Sequence, residues 1–258
     1  MGLTAVRFAT LGSGSRGNAT LVESGGTRLL VDNGFGLREL EARLGLLGVK
    51  PDGIEALLLT HEHADHSRGV AALANRYGIT VWSTPGTWRA LGAPEVPRLR
   101  LFSGHNGTFP MGPLRVKPYP VPHDAREPVQ LVFESAGGRL GILTDAGDVT
   151  AHIRGVLADC DALILECNHD PGMLRAGPYP PFLQRRIGGR LGHLSNLQAA
   201  ELLDQLPIGG IRQLSLAHIS EKNNSPELVM AAIRGVSETL VERARLALQD
   251  TPGPWVEV

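Results

Sequence analysis

Apolar residues fall mostly into short continuous runs broken by glycine and proline, and only a few stretches repeat at helical spacing. Val6 to Leu11 reads as a strand ending in the turn Gly12-Ser13-Gly14-Ser15-Arg16-Gly17-Asn18. Thr20 to Glu23 and Arg28 to Val31 flank Gly25-Gly26, a hairpin signal. Leu37, Leu40, Leu44 and Leu47 recur at intervals of three and four, one face of an amphipathic helix closed by Gly48 and Pro51. Ala56 to Thr60 reads as a strand buried on both faces, Ala71 to Tyr77 as helix and Thr80 to Ser83 as strand. Leu114 to Val121, Val129 to Glu134 and Leu140 to Thr144 predict strands, the last two joined through Ala136-Gly137-Gly138.

Ala162 to Leu165 and Leu214 to Ala217 are further buried strands. Ser195 with Gln198 three residues on forms a capping box that opens a helix, and Ser225-Pro226-Glu227 opens another. Arg245 to Gln249 and Trp255 to Val258, around Pro252-Gly253-Pro254, predict a closing hairpin. Strands and helices interleave with no linker or charge block between them. The pattern predicts one domain over residues 1–258, a mixed sheet layered by helices.

Composition narrows the function. Twenty-five Lys and Arg against 26 Asp and Glu leave a net charge of −1, which excludes a polycation that grips nucleic acid by total charge. Phosphate recognition would have to come from a local patch. Cys160 and Cys167 flank one strand and lie too far apart to bond, so both are expected reduced and buried. No run approaches the ~18 apolar residues of a membrane helix, and the N-terminus shows no export signal. A cytoplasmic protein with no membrane partner is expected.

The chemistry concentrates in Thr60-His61-Glu62-His63-Ala64-Asp65-His66, where three imidazoles and a carboxylate fall within six positions after a buried strand. Such nitrogen and oxygen donors suit zinc, manganese or iron better than calcium or magnesium. Burying so many ionisable groups together is costly without a metal to coordinate. Further polar residues follow apolar strands: Asp145 after Gly141 to Thr144, Glu166 after Leu163 to Leu165, and His218 after Leu214 to Ala217. His123 follows the extended Tyr119 to Pro122. Carboxyl ends of strands are where ligand sites assemble in α/β proteins, so His123, Asp145 and His218 join the candidate ligands.

His-x-His-x-Asp-His followed by a distant His, an Asp and a last His resembles the metallo-β-lactamase superfamily of dinuclear hydrolases. The resemblance implies an α/β fold, the αββα sandwich of two mixed β-sheets flanked by helices. It implies two divalent transition-metal ions per chain, zinc or manganese with iron as an alternative. One would take His61, His63 and His123, the other Asp65, His66 and His218, with Asp145 bridging and Asp32 bracing the metal loop. A closer resemblance, across nearly the whole chain, is to the YycJ/WalJ-like group of exonuclease-type enzymes. It rests on Leu11-Gly12-Ser13-Gly14-Ser15-x-Gly17-Asn18, Glu166-Cys167-Asn168-His169-Asp170, Gly192-His193-Leu194-Ser195-Asn196 and His218-Ile219-Ser220-Glu221-Lys222-Asn223-Asn224.

The pair Glu166 and His193 also resembles the acid pair of RNase Z enzymes, though no RNA-gripping arm is identifiable. Only 72 residues separate Asp145 from His218, too few for the extra domain of RNase J-type nucleases. These resemblances imply a phosphodiesterase or nuclease, a DNA exonuclease rather than an RNase, acting through a metal-bound hydroxide. Asp65 would orient that hydroxide, and His193, fixed by Glu166, would protonate the leaving alkoxide. Candidate substrate-binding residues are Ser15 in the glycine loop, Arg185 and Arg186 (with Arg190) in the loop before His193, and Asn196, Asn223 and Asn224. Arg16 and Lys222 add to the candidate phosphate patch. The competing reading is a hydrolase of a small substrate, a cyclic phosphodiester, thioester or lactone, because fold alone does not choose between them. A redox di-iron protein would need a substituted motif, and this motif is intact.

Overall fold

The chain builds one sheet and then the other, with residues 5–105 and 107–258 described by a computed structural model. β1 (Arg7–Gly12), β2 (Ala19–Ser24) and β3 (Thr27–Val31) run antiparallel. β4 (Ala56–Leu58), β5 (Thr80–Ser83) and β6 (Leu99–Leu101) then extend that sheet as parallel strands. The second sheet repeats the plan. β7 (Phe109–Met111), β8 (Leu114–Pro120), β9 (Val129–Ser135) and β10 (Gly138–Leu143) are antiparallel. β11 (Ala162–Glu166), β12 (Gln213–Ala217) and β13 (Ala244–Leu246) continue in parallel. β14 (Val256–Glu257) returns to the first sheet beside β1.

Helices cover both outer faces. α1 (Leu37–Leu46), α2 (Ala64–Ser67), α3 (Val70–Tyr77) and α4 (Pro85–Ala90) belong to the first half. α5 (Ala151–Leu157), α6 (Pro171–Ala176), α7 (Pro181–Ile187), α8 (Asn196–Gln205), α9 (Pro226–Arg234) and α10 (Glu238–Arg243) belong to the second. Alternation along the strands sorts the core into three layers. Leu21 and Leu57 pack outward with Leu40, Leu44 and Leu73 of the first helices. Val22 and Leu58 pack inward against Val116, Phe133, Ile142 and Ile164 of the opposite sheet. Leu163 faces Ile153, Leu202 and Ile233 on the far side. Each fully buried Leu or Ile contributes about 1.5–3 kcal/mol relative to an exposed one, so all three layers hold the αββα sandwich together.

The tail departs from the expected hairpin. β13 pairs with β12, Leu246 opposite Leu216, while β14 pairs with β1, Val256 opposite Phe8. The segment between crosses from one sheet to the other, tied by Ala247 N–H to Leu216 O and Gly253 N–H to Thr10 O. Each terminal strand thereby covers an edge of a different sheet, which a hairpin would leave open. β4 also stops at Leu58 rather than Thr60, because the chain turns there into the histidine motif. Cys160 and Cys167 are free and buried.

Candidate metal centre

Asp32, His61, His123, Asp145, Glu166 and His218 all lie at or just beyond the carboxyl ends of strands that run the same way, β3, β4, β8, β10, β11 and β12. Asp32, Asp145 and His218 adopt left-handed backbone, with φ of 60°, 55° and 52°. Asp and His enter that region more readily than most residues. The motif itself leaves β4, crosses His63, which caps α2, and places Asp65 and His66 on its single turn.

Hydrogen bonds fix how each ring faces. Thr60 Oγ1 gives its proton to Asp32 Oδ2 at 2.8 Å, so His61 Nδ1, 3.0 Å away, must donate to that hydroxyl. His61 Nε2 is left buried without a partner. His66 Nδ1 lies 2.8 Å from Asp32 Oδ2 and His123 Nδ1 3.0 Å from Gly192 O, which turns their Nε2 atoms inward. His123 Nε2 meets His63 Nδ1 at 3.2 Å, and His61, His63 and His123 group within 4.8 Å. Beside them His66 Nε2 is 3.2 Å from Asp145 Oδ2 and 3.5 Å from Asp65 Oδ2, and His218 Nε2 is 3.8 Å from Asp65 Oδ2.

Asp145 stands between the clusters, grouped with His61 and His66 on one side and His218 on the other. Its Oδ1 lies 2.9 Å from His218 Nδ1, yet neither that nitrogen nor Asp145 Oδ2 makes an aligned hydrogen bond. With His61 Nε2, three buried donor or acceptor atoms thus lack an aligned hydrogen bond, and a buried polar atom that nothing satisfies costs about 1–3 kcal/mol. Imidazole and carboxylate atoms so arranged fit divalent metal binding.

The charges are balanced internally. Burial, then repulsion from His66, pushes the His61 ring well below its ordinary value, and burial lowers His123 as well. For His66 burial opposes the charge but is outweighed by Asp145, Asp32 and Asp65, which raise it well above. Burial likewise opposes protonation of His218, but Asp145, Glu166 and Asp65 lift it to about 9. Asp145, which burial alone would raise, is held well below the usual carboxylate range by His218 and His66.

Glu166 is fully buried, and its Oε2 accepts N–H bonds from Ala146 and Leu194 at 3.1 Å each. Its Oε1 lies 2.8 Å from His193 Nδ1. These contacts fill the carboxylate, and His193 stands half-buried in the wall of a cleft of about 390 Å³ that opens over Asp65, Asp145 and His218.

The substrate candidates divide. Ser15 and Arg186 line this cleft. Arg185 and Arg186 sit on α7 rather than in a loop; Arg186 bonds Asp124, and Arg185 is exposed outside the cleft wall. Arg190 pairs with Asp148 at 3.1 Å, and Arg16 is bound by Glu221 and Asp250 at 2.6 and 2.7 Å, so neither is a free cation. Asn196, Asn223 and Asn224 are buried and do not face the cleft. Asn196 and Asn224 bond each other at 2.8 Å, and Asn224 also donates to Cys167 O. Their amides brace neighbouring loops, because a buried carbonyl must find a donor.

Two residues escaped the sequence reading. Asn18 lies 3.1 Å from Asp65 Oδ2 and clamps the glycine loop by accepting from Gly14 N–H. Asp124, directly after His123, reaches within 3.7 Å of His63 Nε2. A carboxylate adjoining a candidate ligand was a readable signal for Asp124; Asn18 lies in the glycine-rich motif, but nothing there marked its reach to Asp65.

Comparison with known proteins agrees with this fold. A family profile described as a beta-lactamase superfamily domain matches residues 27–219. The exodeoxyribonuclease YycJ of Bacillus anthracis is 35% identical over 238 residues, 90% of this chain and 89% of that one. The exodeoxyribonuclease WalJ of Streptococcus pneumoniae is 34% identical over 229 residues, 86% of this chain and 84% of that one. In three dimensions the metallo-beta-lactamase fold protein YhfI of Bacillus subtilis superposes with a TM-score of 0.77 at 17% identity, covering 99% of this chain and 100% of its own.

Proposed function

Because the chain belongs to the β-lactamase superfamily, we propose that it is a metal-dependent exonuclease hydrolysing the phosphodiester bonds of nucleic acid, DNA in preference to RNA. The observation that carries this reading is the pair formed by Glu166 and His193 beside the Asp145 cluster. A sugar alkoxide is a poor leaving group and needs a proton as it departs; a thiolate does not.

His61, His63 and His123 would hold one divalent ion, and Asp65, His66 and His218 a second, with Asp145 shared. Zinc and manganese suit these donors, and iron is the alternative. Two such cations would supply an activated water and polarise the phosphoryl oxygens. The chain's own residues do the rest. Asn18 fixes the Asp65 carboxylate at Oδ2, in the cleft floor, where it orients the incoming water. Glu166 Oε1 holds the His193 Nδ1 proton, so the ring presents Nε2 to the departing oxygen. Ser15 and Arg186 border the phosphate.

The deciding experiment offers purified protein, with Mn²⁺ or Zn²⁺, end-labelled DNA and RNA, a chromogenic phosphodiester, a lactone and a thioester. Shortening of DNA from its ends is expected. Turnover of lactone or thioester with nucleic acid untouched would replace this reading by a small-substrate hydrolase.

A further inference from the structure

Three of the candidate ligand rings are held from outside the cluster, His61 Nδ1 by Thr60, His66 Nδ1 by Asp32 and His123 Nδ1 by Gly192 O. His63 is different. Its Nδ1 faces His123 Nε2 at 3.2 Å, and among the described residues its Nε2 makes no hydrogen bond. An imidazole that binds a metal through one nitrogen almost always gives the proton of the other to a carboxylate or carbonyl, which fixes its tautomer and direction.

The acceptor standing beside it is Asp124, whose Oδ1 lies 3.7 Å from His63 Nε2 and as far from His123 Nε2. His123 already donates through Nδ1, so His63 is the ring with a proton to place. At 3.7 Å the contact is longer than a hydrogen bond, and a rotation of the Asp124 side chain closes it. The other oxygen is taken: Oδ2 accepts from Arg186 Nε at 2.5 Å, and Arg186, 60% exposed, can follow that rotation. Asp124 N–H donates to Leu191 O at 3.0 Å, which anchors the backbone beneath the carboxylate. Burial alone would raise the carboxyl, but the Arg186 hydrogen bond, with His123 and His63 behind it, holds it below its ordinary value.

We infer that Asp124 is the positioning residue for His63: Oδ1 takes the Nε2 proton, so that Nδ1 faces the ion of the His61, His63 and His123 cluster, while Oδ2 holds Arg186 at the cleft. This rests on the metal reading of that cluster. One carboxylate then ties the grip on an ion to the arginine that borders the phosphate.

Asp124→Asn exposes the arrangement. Arg186 can only donate, so the amide turns its oxygen to Arg186 and its NH₂ to His63. Nε2 must then accept, which moves the ring's single proton to Nδ1, the nitrogen that should bind the ion. Removing Arg186 as well frees the amide to flip and offer its oxygen to the ring.

The test titrates Zn²⁺ against a competing chromophoric chelator in stripped wild type, Asp124→Ala, Asp124→Asn, Arg186→Ala and the double variant Asp124→Asn with Arg186→Ala. Asp124→Ala should weaken one of two ions by about 10–100-fold and leave the other at its wild-type affinity. Asp124→Asn should lose at least as much, Arg186→Ala should bind both ions like wild type, and the double variant should recover most of what Asp124→Asn lost. A partly exposed ion pair contributes little stability, so the metal-free variants should melt close to wild type. Wild-type affinity for both ions in Asp124→Ala, equal weakening of both, or a double variant no tighter than Asp124→Asn would overturn the positioning role and leave the metal centre in place. A wild type that takes up no ion would overturn the metal reading and this inference with it.

Discussion

Replacing Glu166 by glutamine should disable proton donation without unfolding the protein. The carboxylate accepts two backbone N–H groups at Oε2 and holds His193 at Oε1, 2.8 Å away. Glutamine keeps an oxygen for the two N–H groups but turns its NH₂ toward the ring. His193 must then accept at Nδ1 and keep its single proton on Nε2, as a neutral imidazole that gives that proton up poorly. Loss of one general acid costs ~10²–10⁴-fold in rate. The loss should appear on an end-labelled oligonucleotide and vanish on bis(p-nitrophenyl) phosphate, whose nitrophenolate leaves unprotonated. Glu166→Ala adds a structural defect, stranding two buried N–H groups at about 1–3 kcal/mol each. Their sum, ~2–6 kcal/mol, corresponds to a fall in Tm of roughly 5–20 °C for a chain this size. Equal losses of Glu166→Gln on both substrates, with metal content unchanged, would refute proton donation and leave His193 as a phosphate-orienting group.

Elemental analysis of protein prepared without chelator should find about two transition-metal ions per chain, and Asp145→Ala, which removes the proposed shared ligand, should lose at least one of them. Metal uptake near neutral pH should release protons, measurable in weakly buffered solution, because His66 and His218 sit above their ordinary values and ligands must be deprotonated. His218, raised from about 6.5 to about 9, stabilises the metal-free fold fully below 6.5 and progressively less as pH rises to 9. The Tm of chelated protein should fall across that window while metal affinity rises. Arg185→Ala with Arg186→Ala should raise KM on long DNA and flatten its salt dependence with metal content unchanged; a slope equal to wild type would remove both from phosphate contact. Gly34→Ala places a methyl 1.7 Å from Asp65 O and should cost ~3 kcal/mol in denaturant titration, together with metal loss; an unchanged midpoint would show the loop yields freely.

The residues that gather at the candidate centre were legible because His61 to His66 sit within six positions and the others each follow an apolar run, so local sequence states both residue type and place. Ser195 and Gln198 announced α8 in the same way, and their capping box is formed. What the sequence hid was destination. Asn196 and Asn224 are of the right chemical type beside the right motifs, but their side chains turn inward to each other, and a one-dimensional pattern carries no direction. The tail strands failed for a related reason: Val256 and Leu246 find partners across the whole chain, and proximity in sequence suggested pairing with each other. In α7, Leu183 and Ile187 make only a single pair at helical spacing, too short a repeat to read as helix, and the prolines and glycines around them read as loop.

The left-handed backbone at strand ends bears on any attempt to make this protein more durable. Such conformations cost non-glycine residues about 1–3 kcal/mol each. At Asp32, hydrogen bonds from both Thr60 groups and from His66 offset that strain. At Asp145 and His218 it is offset by their mutual attraction, Asp145 Oδ1 lying 2.9 Å from His218 Nδ1. Glycine enters the same region freely. Glycine at residue 145 or 218 would relieve the strain but remove that charge pair, and a candidate metal ligand with it, so a laboratory population selected only for surviving heat should keep both side chains. Durability and chemistry rest on the same two side chains here, so stabilising work on this scaffold belongs in the outer helices, with activity screened at every round.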